Sequence, residues 1–288
     1  MIQTEEYGPA WSAGLRRGDA DELAGWLRFA QAAADEADRI ALAAYHTELQ
    51  VDTKKDGSFV TDADRAIEQV IRQRITDAYP THGVVGEEYG QEGMAAAERW
   101  YLDPIDGTHN FMRGLPLFGT LLAVERDGEL QVGVVSAPAL GLRWHASRGG
   151  GSWARGGPDG MTPRRLRVSE IDRIEQVQLL FGSINDMDDS RVGVGFRRLI
   201  RAVWRERGLG DFWGYTLIAG GSAEAMVERN LGAWDLAAPW ILVEEAGGRI
   251  TDFDGQRSFG RGEALATNGR LHALVLERLR ADGEAASG

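Results

Sequence analysis

Two segments in the first third of the chain carry apolar residues at helical spacing, and the sequence then changes to short apolar runs separated by turn residues. Residues 20–46 repeat Leu, Trp, Ala and Ile every three or four positions, which predicts a long amphipathic helix. A second helix is predicted from Thr61 to just before Pro80, because proline cannot continue a helix. From Val84 onwards the pattern indicates strands, with a hairpin turn at 126–129.

The second half of the sequence mixes the two patterns. Helices are predicted for 190–208, 215–228, 234–246 and 270–281, and short strands for 177–183, 249–255 and 263–268. The sequence contains neither an internal repeat nor a low-complexity linker. The predicted class is therefore α/β or α+β, with large sheets covered by helices.

Composition and charge narrow the classes of function. The 288 residues are 43% apolar and 26% charged, as in an ordinary globular enzyme. A net charge of -12 argues against nucleic acid as a partner, and a phosphate substrate would need a cation in order to approach. No cysteine is present, so disulfides and thiolate metal sites are ruled out.

Membrane and export signals are also missing from the sequence pattern. No run of 18 apolar residues occurs, so no membrane span is predicted. The amino-terminal segment lacks the basic start and the apolar core of a signal peptide. We therefore expect a cytoplasmic protein.

The stretch 100–111, WYLDPIDGTHNF, places two carboxylates three residues apart, Asp103 and Asp106. If the apolar run before Asp103 is a strand, this residue lies at its carboxyl end, where open sheets bind ligands. Pro104 fixes one backbone angle, so we expect the chain to turn at once. Both carboxylates would then face one point together with the carbonyl of Ile105, and hard oxygen ligands of this kind suit Mg²⁺.

Gly107 and Thr108 follow these acids and are expected to begin a helix or a tight turn whose amides can cradle a phosphate. The alternative is a simple turn between strands, with Asp103 and Asp106 as surface acids. A third possibility, the DxDGT motif of aspartyl-phosphate phosphatases, is disfavoured because its acids are two residues apart rather than three.

The segment GVVGEEYG supplies adjacent glutamates after a short apolar strand. Neighbouring residues of a strand point to opposite faces, so we expect only one of them, Glu87, to face the site. A solvated surface pair is the alternative. Further upstream, Thr61 and Asp64 have the spacing of a helix capping box, and Asp64 can also act as a base-side partner. Lys54 is either a surface lysine or part of the site.

Two acids stand out in the second half of the chain. Asp235 begins a mostly apolar helix, where an acid is often only a cap. Glu228 lies seven residues earlier, before a glycine-containing loop, and can reach polar groups of a substrate. The glycine-rich segment 148–157 lacks the GxxxxGK[ST] pattern of a phosphate loop and is predicted to be a hairpin turn.

The sequence resembles the inositol monophosphatase family of metal-dependent phosphomonoesterases in the order of five segments. These are Lys54 with VTDAD, GEE, DPIDGTHNF, WDLAA with EAGG, and TN near the end. The resemblance covers about residues 20–280. Within that family, the stretches DTKKDGSFVTDADRAIE, VVSAPALGLRWHASRGGGSW and GDFWGYTLIAGG are most similar to histidinol-phosphate phosphatases of the actinobacterial type.

This resemblance implies a layered αβαβα sandwich. It implies one domain over 1–288, with an amino-terminal α+β part at about 20–155 and a carboxyl-terminal α/β part at about 156–280. It also implies a homodimer that binds two or three Mg²⁺ ions per active site. A small phosphate ester is the expected partner, and neither nucleic acid nor membrane is expected to bind.

The metal ligands follow from the same resemblance, by position. Glu87, Asp103 and the carbonyl of Ile105 would hold the first metal. Asp103, Asp106 and Asp235 would hold the second, and Glu87 would also help to hold a weaker third ion.

The remaining roles implied by the resemblance concern water and substrate. Thr108 with Asp64 would polarise the attacking water, and Glu87 is included in the catalytic set as a metal ligand. The substrate contacts would be the amides of Gly107 and Thr108, together with Lys54, Asp211 and Glu228.

Three functions are compatible with these residues. The first is Mg²⁺-dependent hydrolysis of L-histidinol phosphate, in which a metal-activated water attacks phosphorus and Glu228 and Asp211 meet the substrate amine. The second is hydrolysis of inositol 1-phosphate or another sugar or nucleoside phosphate. The third is a non-catalytic, metal-binding regulatory module. His109 and the acidic segment 184–193 depart from the family pattern, which leaves the substrate more open than the reaction.

Overall fold

The computed structural model describes residues 17–55 and 57–280. The amino-terminal segment that bears on the signal-peptide prediction lies mostly outside these described residues. The chain forms two compact units that divide between Arg165 and Leu166.

The first unit contains most of the strands. Its elements are α1 (Arg17–Ala44), β1 (Val51–Thr53), β2 (Phe59–Thr61), α2 (Asp62–Ala78), β3 (Gly83–Gly86), β4 (Gly90–Glu92), β5 (Glu98–Asp106), α3 (Thr108–Met112), β6 (Gly119–Arg126), β7 (Glu129–Ala137), β8 (Leu142–Ser147), β9 (Gly151–Gly156) and β10 (Arg164–Arg165). Strands β1 and β2 form a small hairpin. The others form an eight-stranded sheet in the order β10-β9-β8-β7-β6-β5-β3-β4, in which only the β3–β5 pair is parallel.

The two predicted long helices are confirmed as α1 and α2, and they form a layer against this sheet. Their apolar stripes are buried at the spacing that the sequence indicated, and Trp26, Ile67 and Ile71 join Trp100 and Leu122 of the sheet in one core. Burial of such side chains contributes about 1.5–3 kcal/mol each. The packing therefore fixes α2 over β5, which carries the paired aspartates.

Both predicted turns of the first unit are present. The turn between β6 and β7 places Asp127 and Gly128 at positive φ, as a tight two-residue hairpin requires. Strands β8 and β9 pair from Ser147 opposite Gly151, so the glycine-rich segment is a hairpin, as predicted.

The second unit is built around a five-stranded sheet. Its elements are β11 (Gln178–Phe181), α4 (Ile184–Asp188), α5 (Gly193–Ala202), β12 (Arg205–Gly208), α6 (Asp211–Ala219), β13 (Ala225–Arg229), α7 (Ala233–Glu245), β14 (Arg249–Thr251), β15 (Glu263–Thr267) and α8 (His272–Arg280). The sheet order is β12-β11-β13-β15-β14. Helices α5 and α8 share a core with one face of this sheet, and α6 packs on α7 and contacts β13 and β15.

Two helix predictions for this unit extend too far. The helix predicted for 190–208 ends at Ala202, and Arg205–Gly208 forms the edge strand β12 beside β11. Arg and Glu favour helices in isolation, but charged side chains are also well suited to a sheet edge. The helix predicted for 215–228 is likewise wrong beyond Ala219, because two glycines end α6 and residues 225–229 become the central strand β13.

The layered α/β architecture is confirmed in each unit separately. The first unit stacks helices on a mixed sheet, and the second places helices on its own mixed sheet.

Among the described residues, no helix combines the length and the apolar character that crossing a bilayer would require.

Candidate metal centre

The aspartates of the DPIDGT segment lie in the last residues of β5. The sequence predicted a turn at Pro104, and this prediction is wrong, because the strand runs on to Asp106. Its register against β6 shifts between Asp103 and Asp106, and the missing N–H of proline is tolerated in such an irregularity. The hydroxyl of Thr120 donates to the carbonyl of Pro104 at 2.8 Å and holds this shape. Asp103 is 1% exposed and Asp106 is 8% exposed, so they are not surface acids.

The helix predicted to start at Gly107 and Thr108 is present. Gly107 caps α3 with φ of 80°, a left-handed conformation that glycine adopts without strain. Thr108 begins the helix, and its hydroxyl donates to the carbonyl of Ile105 at 3.0 Å. The side chain of Thr108 is therefore anchored at the carbonyl that the family resemblance implies for the first metal, a role that stays a prediction.

The adjacent glutamates lie in the turn after β3 rather than on the strand. The ammonium of Lys54 donates to Glu87 at 2.7 Å and to Glu88 at 2.8 Å. The expectation that the two glutamates point apart is therefore wrong, because the alternation rule applies only to extended residues. Burial alone would lower the pKa of Lys54, but its hydrogen bonds to both carboxylates outweigh this effect and raise the pKa.

The first unit brings two of the predicted ligands together. Carboxylate oxygens of Glu87 and Asp103 lie within 4.8 Å of one another. Two carboxylates at this separation repel each other, and the ammonium of Lys54 offsets this repulsion only on the side of Glu87. Their hard oxygen donors fit Mg²⁺, whose protein ligands are carboxylates, carbonyls and water.

The capping box predicted at the start of α2 is present. Oδ2 of Asp64 accepts from the backbone amide of Thr61 at 2.9 Å and contacts the Thr61 hydroxyl at 2.5 Å. Asp64 is 0% exposed. Burial raises its pKa to about 6, the hydrogen bonds from Thr61 oppose this rise, and the charge of Glu87 adds to it. Because these contacts involve Thr61, the partnership of Asp64 with Thr108 stays a prediction.

Glu228 and Asp211 are neighbours in the second unit. Glu228 lies near the carboxyl end of β13, is 6% exposed, and accepts from the amide of Asp211 at 3.1 Å. Asp211 itself has φ of 56°. Burial raises the pKa of Glu228 to about 8, with the charge of Asp211 adding to the rise and its amide opposing it.

Asp235 is the third residue of α7, also in the second unit. Its Oδ2 accepts from the backbone amide of Gly232 at 2.6 Å, so it caps the helix, as one of its two interpretations predicted. The cap occupies this oxygen, and a role for Asp235 as a metal ligand stays a prediction.

Two residues that sequence reasoning missed support the glutamate turn. Glu68 accepts from the backbone amides of Glu88 and Tyr89, and Arg72 donates to Glu68. The available signal was their spacing, since Asp64, Glu68 and Arg72 follow one another at four-residue intervals on one face of α2.

His109, which departs from the family pattern, is exposed, and its ring lies 5.1 Å from that of Phe59.

Known proteins resemble the chain over most of its length. A histidinol-phosphatase of Mycobacterium tuberculosis is 44% identical over 256 residues, which cover 88% of this chain and 98% of that protein. An inositol-1-monophosphatase of Mesorhizobium japonicum is 35% identical over 239 residues, which cover 81% and 86% of the two chains.

Solved structures share the fold. The extragenic suppressor protein suhB of Bartonella henselae superposes with a TM-score of 0.80 at 29% identity, covering 89% of this chain and 98% of that one. The Thermotoga maritima IMPase gives 0.77 at 30% identity, covering 88% and 96%. A profile of the inositol monophosphatase family matches residues 22–284. The chain therefore belongs to the inositol monophosphatase family, a family of phosphoric monoester hydrolases.

Proposed function

We propose that this enzyme is a Mg²⁺-dependent phosphomonoesterase that hydrolyses L-histidinol phosphate to L-histidinol and phosphate. The observation that carries the proposal is the close pair of carboxylates formed by the half-buried Glu87, in the turn after β3, and the buried Asp103, near the end of β5. The proposed substrate rests on similarity to histidinol-phosphatases at 41–44% identity.

The proposed metal ligands divide into two sets. Glu87, Asp103 and the carbonyl of Ile105 would hold one Mg²⁺, and Asp103, Asp106 and Asp235 would hold a second, with Glu87 also available to a third. When bound, the ions supply charge neutralisation for the phosphate and acidify a water molecule.

The chain's own residues would orient the reactants. Asp64 is a buried carboxylate that can accept a proton from water, and the Thr108 hydroxyl lies beside the Ile105 carbonyl, where it can hold that water. The amides of Gly107 and Thr108 lie at the start of α3 and would donate to phosphate oxygens. Lys54 bridges Glu87 and Glu88, so its ammonium would offset their negative charge as the dianion approaches.

The alcohol side of the substrate would meet the second unit. Glu228 accepts from the backbone amide of Asp211 and also feels the charge of the Asp211 carboxylate, so a primary amine bound there would meet negative charge from both residues. This pairing adds to the similarity with histidinol-phosphatases in favouring an amino-alcohol phosphate over a neutral sugar phosphate.

Inositol 1-phosphate is the second candidate, and the raised pKa of Glu228 favours it. A carboxyl group with a pKa of about 8 is mostly protonated at neutral pH, and a protonated carboxyl can exchange hydrogen bonds with a hydroxyl. Other sugar or nucleoside phosphates would be recognised in the same way.

A panel of phosphomonoesters tests the substrate. With Mg²⁺ we expect kcat/KM for histidinol phosphate to exceed that for inositol 1-phosphate by about tenfold or more, a difference of about 1.4 kcal/mol in transition-state binding. Equal values would transfer the assignment to the second candidate. A chain that binds Mg²⁺ but cleaves none of the esters would be the non-catalytic module.

The pH dependence of KM separates the two candidates independently. The pKa of Glu228 is raised, so the carboxylate form is lost as pH falls below about 8. An ammonium group needs that form, so KM for histidinol phosphate should rise by about 16-fold in total between pH 8 and 6.5, as the ionised fraction of Glu228 falls. Glu228→Gln should remove this slope. A slope that persists in Glu228→Gln would show that another group is responsible.

Three further proposals rest on family resemblance. We expect one functional domain over 1–288, a homodimer and a cytoplasmic location. Light scattering of the purified chain measures the second, with twice the chain mass expected.

A further inference from the structure

One face of α2 carries three charged residues in succession, Asp64, Glu68 and Arg72. Asp64 lies in the first turn of the helix, where the proposed water-activating group is placed. Glu68 and Arg72 lie one and two turns further along, over the turn that carries Glu87. A single helix face therefore reaches two parts of the proposed site.

Glu68 makes its contacts with the backbone of that turn. Its Oε2 accepts from the amide of Glu88 at 2.8 Å, and its Oε1 accepts from the amide of Tyr89 at 3.0 Å. Glu68 is 0% exposed, so these hydrogen bonds form away from water, where losing one leaves a buried donor unpaired. The carboxylate therefore fixes the two peptide groups that follow Glu87.

Arg72 completes the arrangement. Its Nε donates to Glu68 at 2.7 Å, and its terminal nitrogen donates to the carbonyl of Gly90. On the amino-terminal side, the amide of Glu87 donates to the carbonyl of Leu102 on β5 at 3.2 Å. The peptide groups around Glu87 are thus held from α2 on one side and from β5 on the other.

Gly86 shows how closely the carboxylate approaches. A Cβ atom at this position would lie 2.1 Å from Oε1 of Glu68, which no side chain can tolerate without displacing it. A larger residue before the two glutamates would therefore have to push the Glu68 carboxylate away from its hydrogen bonds, although the backbone conformation of Gly86 would accept one. This contact is independent of the hydrogen bonds and supports the same role.

We propose that Glu68, braced by Arg72, is a positioning residue for the metal centre that sets the turn so that the Glu87 carboxylate faces Asp103. Glu68 bonds neither metal nor substrate in this scheme. The inference rests on the proposed function, because it assumes that Glu87 is a metal ligand. Groups that orient ligands in this way typically change metal affinity or activity by about 10–100-fold when they are replaced.

The test compares Glu68→Gln with Ile71→Val in the full-length chain. Gln keeps the size of Glu but has one acceptor oxygen, so the amide of either Glu88 or Tyr89 loses its partner. Ile71→Val is the matched control, because it shortens a fully buried side chain of the same helix that faces the core. Arg72→Lys is a second variant, to be used if Glu68→Gln does not fold.

Two measurements are made on each variant, namely Mg²⁺ binding by titration calorimetry with the metal alone and hydrogen exchange of the backbone amides. For Glu68→Gln we expect Mg²⁺ affinity to fall by about tenfold or more, and exchange over Glu87–Tyr89 to become about tenfold faster. Ile71→Val should change neither value locally.

The outcomes distinguish a failure of the positioning role of Glu68 from a failure of the proposed function. Faster exchange together with unchanged Mg²⁺ affinity would overturn the positioning role, as would equal affinity losses in Glu68→Gln and Ile71→Val. Failure of the wild-type chain to cleave any ester would instead sink the proposed function, because the calorimetry needs no substrate.

Discussion

Asp103→Asn is expected to lower kcat by about a thousandfold or more while leaving the fold intact. Asp103 is buried at the end of β5, and its carboxylate lies within 4.8 Å of that of Glu87. The substitution keeps the shape but removes the charge that would bind the cation, and a thousandfold loss corresponds to about 4 kcal/mol of transition-state stabilisation. The measurement is steady-state hydrolysis of histidinol phosphate at saturating Mg²⁺.

Thermal unfolding adds a second measurement on the same variant. Without metal, Asp103→Asn should unfold at the wild-type temperature or above it, because repulsion with Glu87 is relieved. The rise in unfolding temperature that Mg²⁺ gives the wild type should be lost. Asp77→Asn, an exposed acid near the end of α2, is the control and should behave as the wild type. Turnover of Asp103→Asn at the wild-type rate would show that Asp103 is not a ligand of a catalytic metal.

Asp64→Asn is expected to lower kcat by about 10²–10⁴-fold, the range for removal of a general base. The amide oxygen can still accept from the backbone of Thr61, so the start of α2 should be kept. Mg²⁺ affinity should change much less than in Asp103→Asn. The measurement is kcat beside a Mg²⁺ titration of the same preparation.

Thr61→Val separates catalysis by Asp64 from its structural role in the capping box. This variant removes the capping hydroxyl and keeps the carboxylate, so we expect a loss of about 1 kcal/mol in stability with kcat nearly unchanged. If Thr61→Val loses as much activity as Asp64→Asn, the effect belongs to the helix terminus, and Asp64 is not the base.

Periodicity and local chemistry were sufficient to predict the two long helices and the two hairpin turns of the first unit, but not the small hairpin of β1 and β2. The stripes of α1 and α2, the capping box at Thr61 and the glycine start of α3 are all encoded within a few residues of sequence. The positions of Asp103 and Asp106 near a strand end follow from the same local reading.

Tertiary pairing decided the elements that were predicted wrongly. Residues 225–229 have helical composition, yet they form the central strand β13 because β11 and β15 flank them on both sides. Edge pairing in the same way draws Arg205–Gly208 into β12. Long-range partners of this kind leave no local trace in the sequence.

The arrangement of the glutamate turn was equally hidden. If these residues formed a strand, the side chains of Glu87 and Glu88 would point to opposite faces. In the turn, the ammonium of Lys54 contacts both carboxylates. Glu68 resembles a surface residue in a helical pattern, and its burial under the turn follows only from the packing of α2. Residues that support a site through the backbone carry weaker sequence signals than the ligands that they hold in place.

Crystals of the chain soaked with Mn²⁺ and inorganic phosphate test the proposed metal centre most directly, because the anomalous signal of Mn²⁺ locates each ion. We expect at least two peaks, one bonded to Glu87 and Asp103 and another to Asp103, Asp106 and Asp235, with phosphate against the start of α3. Ions bound elsewhere, or no peak beside Asp103 at a saturating concentration, would contradict a catalytic metal site formed by these acids.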